Sequence, residues 1–149
     1  MEEKFMLEAL ALAQKAYKKN EVPIGAVIVK NGKIIAKAAN RRNASQIATH
    51  HAEVLAINKA CKKLKSWRLD GCDIYVTLEP CPMCAGAILN ARINNLYFGA
   101  YDKTGDGDLL EDIMSNKRLN HNTNIVGGIL ENECSSLITS FFENKRKNK

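Results

Sequence analysis

Residues 73–98 read DIYVTLEPCPMCAGAILNARINNLYF, a strand–helix–strand pattern in the middle of the chain. The β-branched and aromatic start predicts a strand over Asp73–Leu78, and a second strand follows over Asn95–Phe98. The residues between them predict a helix over Met83–Ala91. Because so short a connection carries one helix between the two strands, they are expected to pair in parallel. This segment therefore indicates an α/β fold.

Outward from this segment, apolar periodicity predicts the remaining elements. Asn31-Gly32 is typical of a two-residue hairpin turn between two strands. The elements predicted are a helix over Lys4–Lys19, strands over Val22–Val29 and Lys33–Ala39, a helix over Ala52–Leu64, a strand over Thr123–Val126 and a helix over Glu131–Lys147. The chain has no internal repeat and no low-complexity linker. We therefore expect a single domain over residues 1–149, with helices on both faces of a mixed five-stranded sheet and a basic C-terminal tail over about residues 143–149.

Composition excludes several classes of protein. Of the 149 residues 46% are hydrophobic and 26% charged, an ordinary balance for a globular protein. No apolar stretch approaches the length of a membrane span, so no membrane association is expected. Five cysteines form an odd set without a leading signal peptide, which predicts reduced thiols and a cytoplasmic location. An excess of 22 basic over 16 acidic residues, or +6, suggests an acidic partner.

Two short motifs carry residues that can bind a metal. Cys81 and Cys84 are spaced i, i+3 at the start of a predicted helix, so both sulfurs lie on one side of its first turn. The helix N-terminus also favours the thiolate form. With His51 they would make a three-ligand zinc site whose fourth position is open to water, as in catalytic zinc sites. Residues i and i+2 of a regular helix face different ways, so His51 and Glu53 can reach one site only if His51 stands at or just before the first turn of its helix. The metal should therefore face the N-termini of two helices.

A Cys-x-x-Cys pair alone is also typical of redox pairs and of half a structural zinc site. Neither alternative is favoured here, because no thioredoxin-like order surrounds the pair and no second such pair exists. His51-x-Glu53 followed by Pro80-Cys81-x-x-Cys84 is instead the pattern of zinc deaminases that act on nucleobases.

The sequence resembles bacterial tRNA-specific adenosine deaminases of the TadA type, within the cytidine-deaminase-like superfamily. The resemblance covers almost the whole chain. Its segments are Glu21-Val22-Pro23-Ile24-Gly25-Ala26-Val27, Asn40-Arg41, His51-Ala52-Glu53, Thr77 to Ala87, Phe98-Gly99-Ala100, Lys103-Thr104-Gly105, Asn120-His121 and Phe141-Phe142. It implies a three-layer α/β/α fold. The zinc motifs mark the superfamily, whereas Asn40 and the segments at residues 103–105 and 141–142 point to the tRNA branch.

The resemblance also implies roles for individual residues. His51, Cys81 and Cys84 would hold one zinc ion per chain, and Glu53 would be the general acid and base rather than a ligand. The reaction would convert adenosine to inosine at the wobble position of a tRNA anticodon. Candidate substrate contacts are Asn40 near the flipped base, Pro23 and Ile24 as an apolar wall, and Ala52, Phe142 and Arg146. Members of the family are homodimers, and the same is expected here.

Two other functions remain open at this stage. A deaminase of a free base or nucleoside (guanine, cytosine or cytidine) would share the zinc ligands and Glu53. A protein of another class, a non-catalytic zinc-containing RNA-binding protein, would not need a carboxylate beside the open zinc position.

Charge is distributed unevenly along the chain. Residues 30–42 carry five basic side chains and no acid, and the tail from Phe141 carries four basic side chains against Glu143. These two patches are expected to contact RNA phosphates. Residues 102–112 carry five acids against Lys103, and this acidity argues against RNA contact by Asp106 and Asp108.

Several residues have a simpler structural interpretation. Each of the three cysteines outside the zinc motif is expected to be a small packing residue. Only His51, and not His50, fits the spacing to Glu53. Glu79 precedes a proline and is expected to be structural, and at least one of Phe141 and Phe142 should lie in the core. The packing cysteines are Cys61, Cys72 and Cys134.

Overall fold

The computed structural model describes residues 2–102, 109–116, 118–119 and 121–147. Its helices and strands follow in chain order: α1 Glu3–Lys18, β1 Gly25–Lys30, β2 Lys33–Ala39, α2 Arg42–Ser45, α3 Ala52–Leu64, β3 Cys72–Leu78, α4 Pro82–Asn90, β4 Asn95–Ala100, α5 Leu109–Met114, β5 Asn124–Val126 and α6 Glu131–Lys147.

The strands form one mixed sheet in the order β2-β1-β3-β4-β5. The hairpin partner β2 and the strand β3 both run antiparallel to β1, whereas β3, β4 and β5 are parallel to one another. The hairpin turns at Asn31 and Gly32, whose φ angles of 52° and 75° are those that the Asn-Gly turn requires. The predicted five-stranded sheet and the parallel pairing of β3 with β4 are both confirmed.

Helices cover both faces of the sheet, as predicted. On one face α1 and α6 contribute Met6 and Cys134 to a core that includes Val27 of β1. On the other face α3 and α4 contribute Ala56 and Ile88 to the larger core. Gly25 allows α1 to approach the start of β1, because a Cβ there would collide with the backbone oxygen of Ala9.

One edge of the sheet gathers the ends of several strands. Strands β2, β3 and β4 end there at Ala39, Leu78 and Ala100, and the antiparallel β1 begins there at Gly25. The backbone N–H of Gly25 donates to Thr77 Oγ1 of β3 at 3.2 Å. Because α4 begins four residues after β3 ends, its first turn is held at this same edge.

The sequence-based boundaries differ from the structure in a few places. The strand predicted from Val22 begins only at Gly25, because Pro23 has no N–H for a ladder and the N–H of Ile24 donates to the oxygen of Val22 at 2.8 Å. Helices α2 and α5 were not predicted. Lys103-Thr104-Gly105, Asp106, Asp108 and Asn120 lie outside the described residues, so the expectation that Asp106 and Asp108 do not contact RNA stays a prediction.

Candidate metal centre and active site

Three metal-ligating side chains meet at the start of two helices. Helix α3 places His51 at its N-cap, and α4 places Cys81 at its N-cap and Cys84 in its first turn. Pro82 is compatible with this start because the first helical position needs no N–H. The backbone angles of His51, φ −78° and ψ 152°, are extended, so its side chain precedes the first helical turn. The sequence-based expectation that both helix N-termini face one site is met by this arrangement.

The spacing of these side chains suits a tetrahedral zinc ion. The Nδ1 atom of His51 lies 3.7 Å from Cys81 Sγ and 3.6 Å from Cys84 Sγ. Zinc bonds of about 2.3 Å to sulfur and about 2.0 Å to nitrogen, at tetrahedral angles, separate the two atoms by about 3.5 Å, close to the observed distances. All three donor atoms lie within 4.8 Å of one another, and Glu53 is not part of this group. The residues present therefore fit a zinc ion with three protein ligands.

Electrostatics favour a thiolate at this position. The pKa of Cys81 is lowered to about 5, first by a side-chain hydrogen bond from Cys84 and further by backbone hydrogen bonds from Cys84 and Met83. The pKa of Cys84 is raised, because this thiol donates to Cys81 and is buried. One sulfur thus carries charge without metal, and a bound cation would displace the proton from the other.

Glu53 is a buried carboxylate beside these ligands. Its side chain is 3% exposed, and its Oε1 atom has no hydrogen-bond partner. The pKa of Glu53 is raised to about 7, mainly because burial penalises the charged form and further because of the charge of Cys81. An unsatisfied buried carboxylate oxygen is costly, which is typical of a group that receives its partner from a ligand or substrate.

Asn40 and Ile24 lie together at the adjoining edge of the sheet. The backbone N–H of Asn40 donates to the oxygen of Ile24 at 3.0 Å, and the N–H of Arg41 donates to the oxygen of His50 at 3.0 Å. The segment after β2 is thereby tied to the residue that precedes His51. Asn40 is 6% exposed, and its Oδ1 atom has no hydrogen-bond partner. A second orphaned polar atom therefore lies close to the start of α3.

The other candidate contacts are placed less directly. Pro23 and Ala52 are fully buried and present no side-chain surface, whereas Ile24 is half-buried. Phe142 on α6 is 44% exposed and lines a cavity of about 330 Å³ together with Val22 and Tyr101. Arg146 is exposed near the end of α6. The structure therefore does not place the side chains of Pro23 and Ala52 where a substrate can touch them.

Most simpler interpretations agree with the structure. Cys72 and Cys134 are buried and Cys61 is half-buried, as packing residues should be. The core includes Phe141, which is 3% exposed. Glu79 accepts a hydrogen bond from the backbone N–H of Asp102 at 2.9 Å, a structural contact.

Known proteins with a similar sequence identify the family. A model of the MafB19-like deaminase family matches residues 1–141. The chain is 49% identical over 149 residues to the tRNA-specific adenosine deaminase of Bacillus subtilis (strain 168), a match that covers 99% of this chain and 92% of that protein. The chain belongs to the tRNA-specific adenosine deaminase family. The resemblance seen in the sequence is confirmed.

Solved structures of deaminases agree with this assignment. A chain from a study of A-to-I editing by tRNA:A34 deaminases at the wobble position of transfer RNA has a TM-score of 0.85 and 42% identity, covering 90% of this chain and 98% of that one. The guanine deaminase of Bacillus subtilis has a TM-score of 0.65 and 45% identity, but covers only 68% of this chain and 65% of that one. The α/β deaminase fold is confirmed. In the described part of the chain, no helix has the length and apolar character of a membrane span.

The arrangement of basic residues in this deaminase differs from the sequence-based expectation. Residues 30–42 do not form one patch, because Lys33 and Arg41 flank opposite ends of β2, a strand about 20 Å long. Lys37 between them pairs with Glu8 at 3.2 Å. Of the five basic side chains in that segment, only Arg41 and Arg42 lie at the edge that carries the metal-ligating residues.

Glu21 is a site-supporting residue that sequence reasoning missed. Its carboxylate is 3% exposed and accepts hydrogen bonds from the backbone N–H groups of Asn43 at 3.1 Å and Ala44 at 2.6 Å. These are orphan donors at the start of α2, the helix that follows Asn40. Because Glu21 and Asn43 are 22 residues apart, the local sequence contains no capping signal.

We expect Glu21→Ala to lower the free energy of unfolding by about 1–2 kcal/mol, because two part-buried backbone N–H groups at the start of α2 lose a charged acceptor. Urea unfolding followed by circular dichroism measures this difference. The matched control is Glu143→Ala on the exposed side of α6, which should change the free energy by less than about 0.5 kcal/mol. Equal stability of the two variants would contradict the capping role.

Proposed function

We propose that this protein catalyses the hydrolytic deamination of adenosine to inosine at the wobble position of a tRNA anticodon, with one zinc ion per chain. The observation that carries the proposal is the convergence of His51, Cys81 and Cys84 beside the buried, unpartnered Oε1 of Glu53. Relatives named tRNA-specific adenosine deaminases align with this chain over nearly their full length, which supports a tRNA substrate.

The proposed chemistry divides between the metal and Glu53. Zinc held by His51, Cys81 and Cys84 supplies Lewis-acid activation of water when bound. Glu53 Oε1 takes the proton of the attacking water and passes protons to the base and to the departing ammonia. Its raised pKa, about 7, suits a group that must both accept and return a proton near neutral pH. Water is consumed and ammonia leaves, so the amino group of adenine is replaced by oxygen.

Asn40 is the proposed contact to the flipped base. Its amide can donate and accept at once, and its Oδ1 has no partner inside the protein. Ile24 is half-buried beside it and offers an apolar surface on which a base can rest. Pro23 would support Ile24 from within.

RNA outside the anticodon base would meet the end of α6. Phe142 is exposed and aromatic, a side chain on which an unstacked base can lie. Arg146 and the tail after Asn144 add positive charge that phosphates attract. Tyr17 links this end of α6 to α1 through hydrogen bonds with Ser140 and Asn144. The RNA-facing surface we propose therefore includes the ends of both helices.

We propose that the chain forms one deaminase domain over residues 1–149, acts as a homodimer and works in the cytoplasm, where tRNA is modified. One observation supports an interface on α4: Met83 is 38% exposed, and the space beside Gly86 is open. Sedimentation equilibrium gives the mass in solution, and a monomer at micromolar concentration would contradict the dimer.

The substrate is tested by offering the zinc-loaded protein an anticodon stem-loop with a wobble adenosine, in parallel with free adenosine, cytidine and guanine. Inosine in the RNA, with the free compounds unchanged, is the expected result. Turnover of guanine alone would favour the second candidate function, a deaminase of a free base. The partial similarity to a guanine deaminase is the reason to include guanine. RNA binding without any product would indicate a non-catalytic zinc protein.

A further inference from the structure

A cleft lies between α1 and the segment that follows β2. Its volume is about 390 Å³, and its polar lining comes from Lys15, Lys19, Glu21, Asn40 and Arg41. Lys15 and Lys19 are one helical turn apart, so both side chains project from the same side of α1. Arg41 approaches from the opposite wall, directly after Asn40.

The cleft has an excess of positive charge. Within the described ranges, Lys15, Lys19 and Arg41 are all exposed and none of them forms an ion pair. The one acid in the lining is Glu21, whose two carboxylate oxygens already accept the N–H groups of Asn43 and Ala44. Three cations therefore face one acid that is committed to the protein backbone, which favours an anionic ligand.

The cleft adjoins the proposed active site. Asn40 lines it and carries an unpartnered Oδ1 atom on a side chain that is more than nine-tenths buried, since its exposed fraction is 6%. Arg41 is joined through its N–H to the oxygen of His50, next to the metal-ligating His51. Because Asn40 lines the cleft, Lys15 and Lys19 are within reach of the backbone of a nucleic acid whose base contacts Asn40.

We propose that this cleft binds a backbone phosphate of the RNA strand next to the target adenosine, with Lys15, Lys19 and Arg41 as its cations. The proposal rests on the proposed function, since it assigns a second contact to the same substrate. It differs from the basic tail at residues 143–149 because it lies on α1. Charge in the cleft increases affinity for RNA and has no part in the chemical step.

The test replaces two cleft lysines and compares them with two lysines elsewhere. K15Q/K19Q is expected to raise the Kd for the wobble-adenosine stem-loop about tenfold at 0.1 M salt. It should also reduce the slope of log K against log salt concentration by about 0.7, because each neutralised phosphate charge contributes about 0.7 to that slope and the cleft holds one phosphate. The matched control is K62Q/K63Q, on the last turn of α3, where both side chains are exposed and far along the helix from His51. Both variants should keep the wild-type zinc content and the wild-type kcat at saturating RNA.

Each outcome separates the cleft from the proposed function. A wild-type protein that deaminates the stem-loop, with K15Q/K19Q and K62Q/K63Q equal in Kd and salt slope, overturns the cleft alone. A weaker Kd with an unchanged slope also overturns it, because the two lysines would then not neutralise phosphate charge in the wild-type complex. A wild-type protein that produces no inosine in RNA overturns the proposed function, and the cleft with it.

Discussion

Replacement of Glu53 by glutamine is expected to reduce turnover of the wobble-adenosine stem-loop by at least about a thousandfold, within the range that general acid–base groups contribute. The amide keeps the shape of the side chain but cannot take a proton from water. Because Glu53 is not among the three grouped donor atoms, zinc should remain near one per chain. Single-turnover kinetics at saturating protein and elemental analysis measure the two quantities.

The matched control for this variant is Glu79→Gln. Glu79 is the nearest other carboxylate in the sequence to the Cys81 motif, and it accepts a hydrogen bond from the backbone of Asp102, which an amide oxygen can also accept. Most of the activity should be retained. A wild-type rate in Glu53→Gln would remove its proposed role, and loss of zinc together with activity would make Glu53 a ligand.

Replacement of Cys84 by alanine is expected to weaken zinc binding by more than about a hundredfold, because even second-sphere changes at metal sites cost up to that factor. Activity should fall with the metal. The free energy that zinc contributes to folding should disappear as well, so added zinc should no longer raise the melting temperature. Elemental analysis and thermal unfolding with and without zinc measure these effects.

Two comparisons keep this prediction sharp. Cys72→Ala removes a buried thiol from β3, outside the metal group, and should retain zinc. Wild-type protein stripped with a chelator should melt at the same temperature as Cys84→Ala, which separates metal loss from misfolding. Full zinc retention in Cys84→Ala would refute the proposed ligand set.

Elements with strong local patterns were predicted well. Three predicted segments agree with the structure to within one or two residues. They are the strand–helix–strand segment from Asp73 to Phe98, the Asn31-Gly32 hairpin and the helix from Ala52 to Leu64. Each depends on periodicity or turn chemistry within a few neighbouring residues. The four-residue helix α2 has no such pattern, and its start is held by Glu21, which is distant in sequence.

The candidate site divides in the same way. The convergence of His51, Cys81 and Cys84 was predictable because both motifs begin helices. The signals that start a helix lie in adjacent residues of the sequence. Burial of Glu53 and the unpartnered Oδ1 of Asn40 were not, because they depend on which distant segments pack around them.

The amino-acid sequence alone therefore determines the family, the order of the strands and of the four longest helices, and the residues able to bind a metal, since each is encoded by local spacing. Charge shows the limit of that information. Lys33 and Arg41 are close in sequence but flank opposite ends of β2, whereas Lys15 and Arg41 are distant in sequence and line one cleft. Electrostatic fields and burial depend on distance in space, and only the folded chain brings together the side chains that share a field.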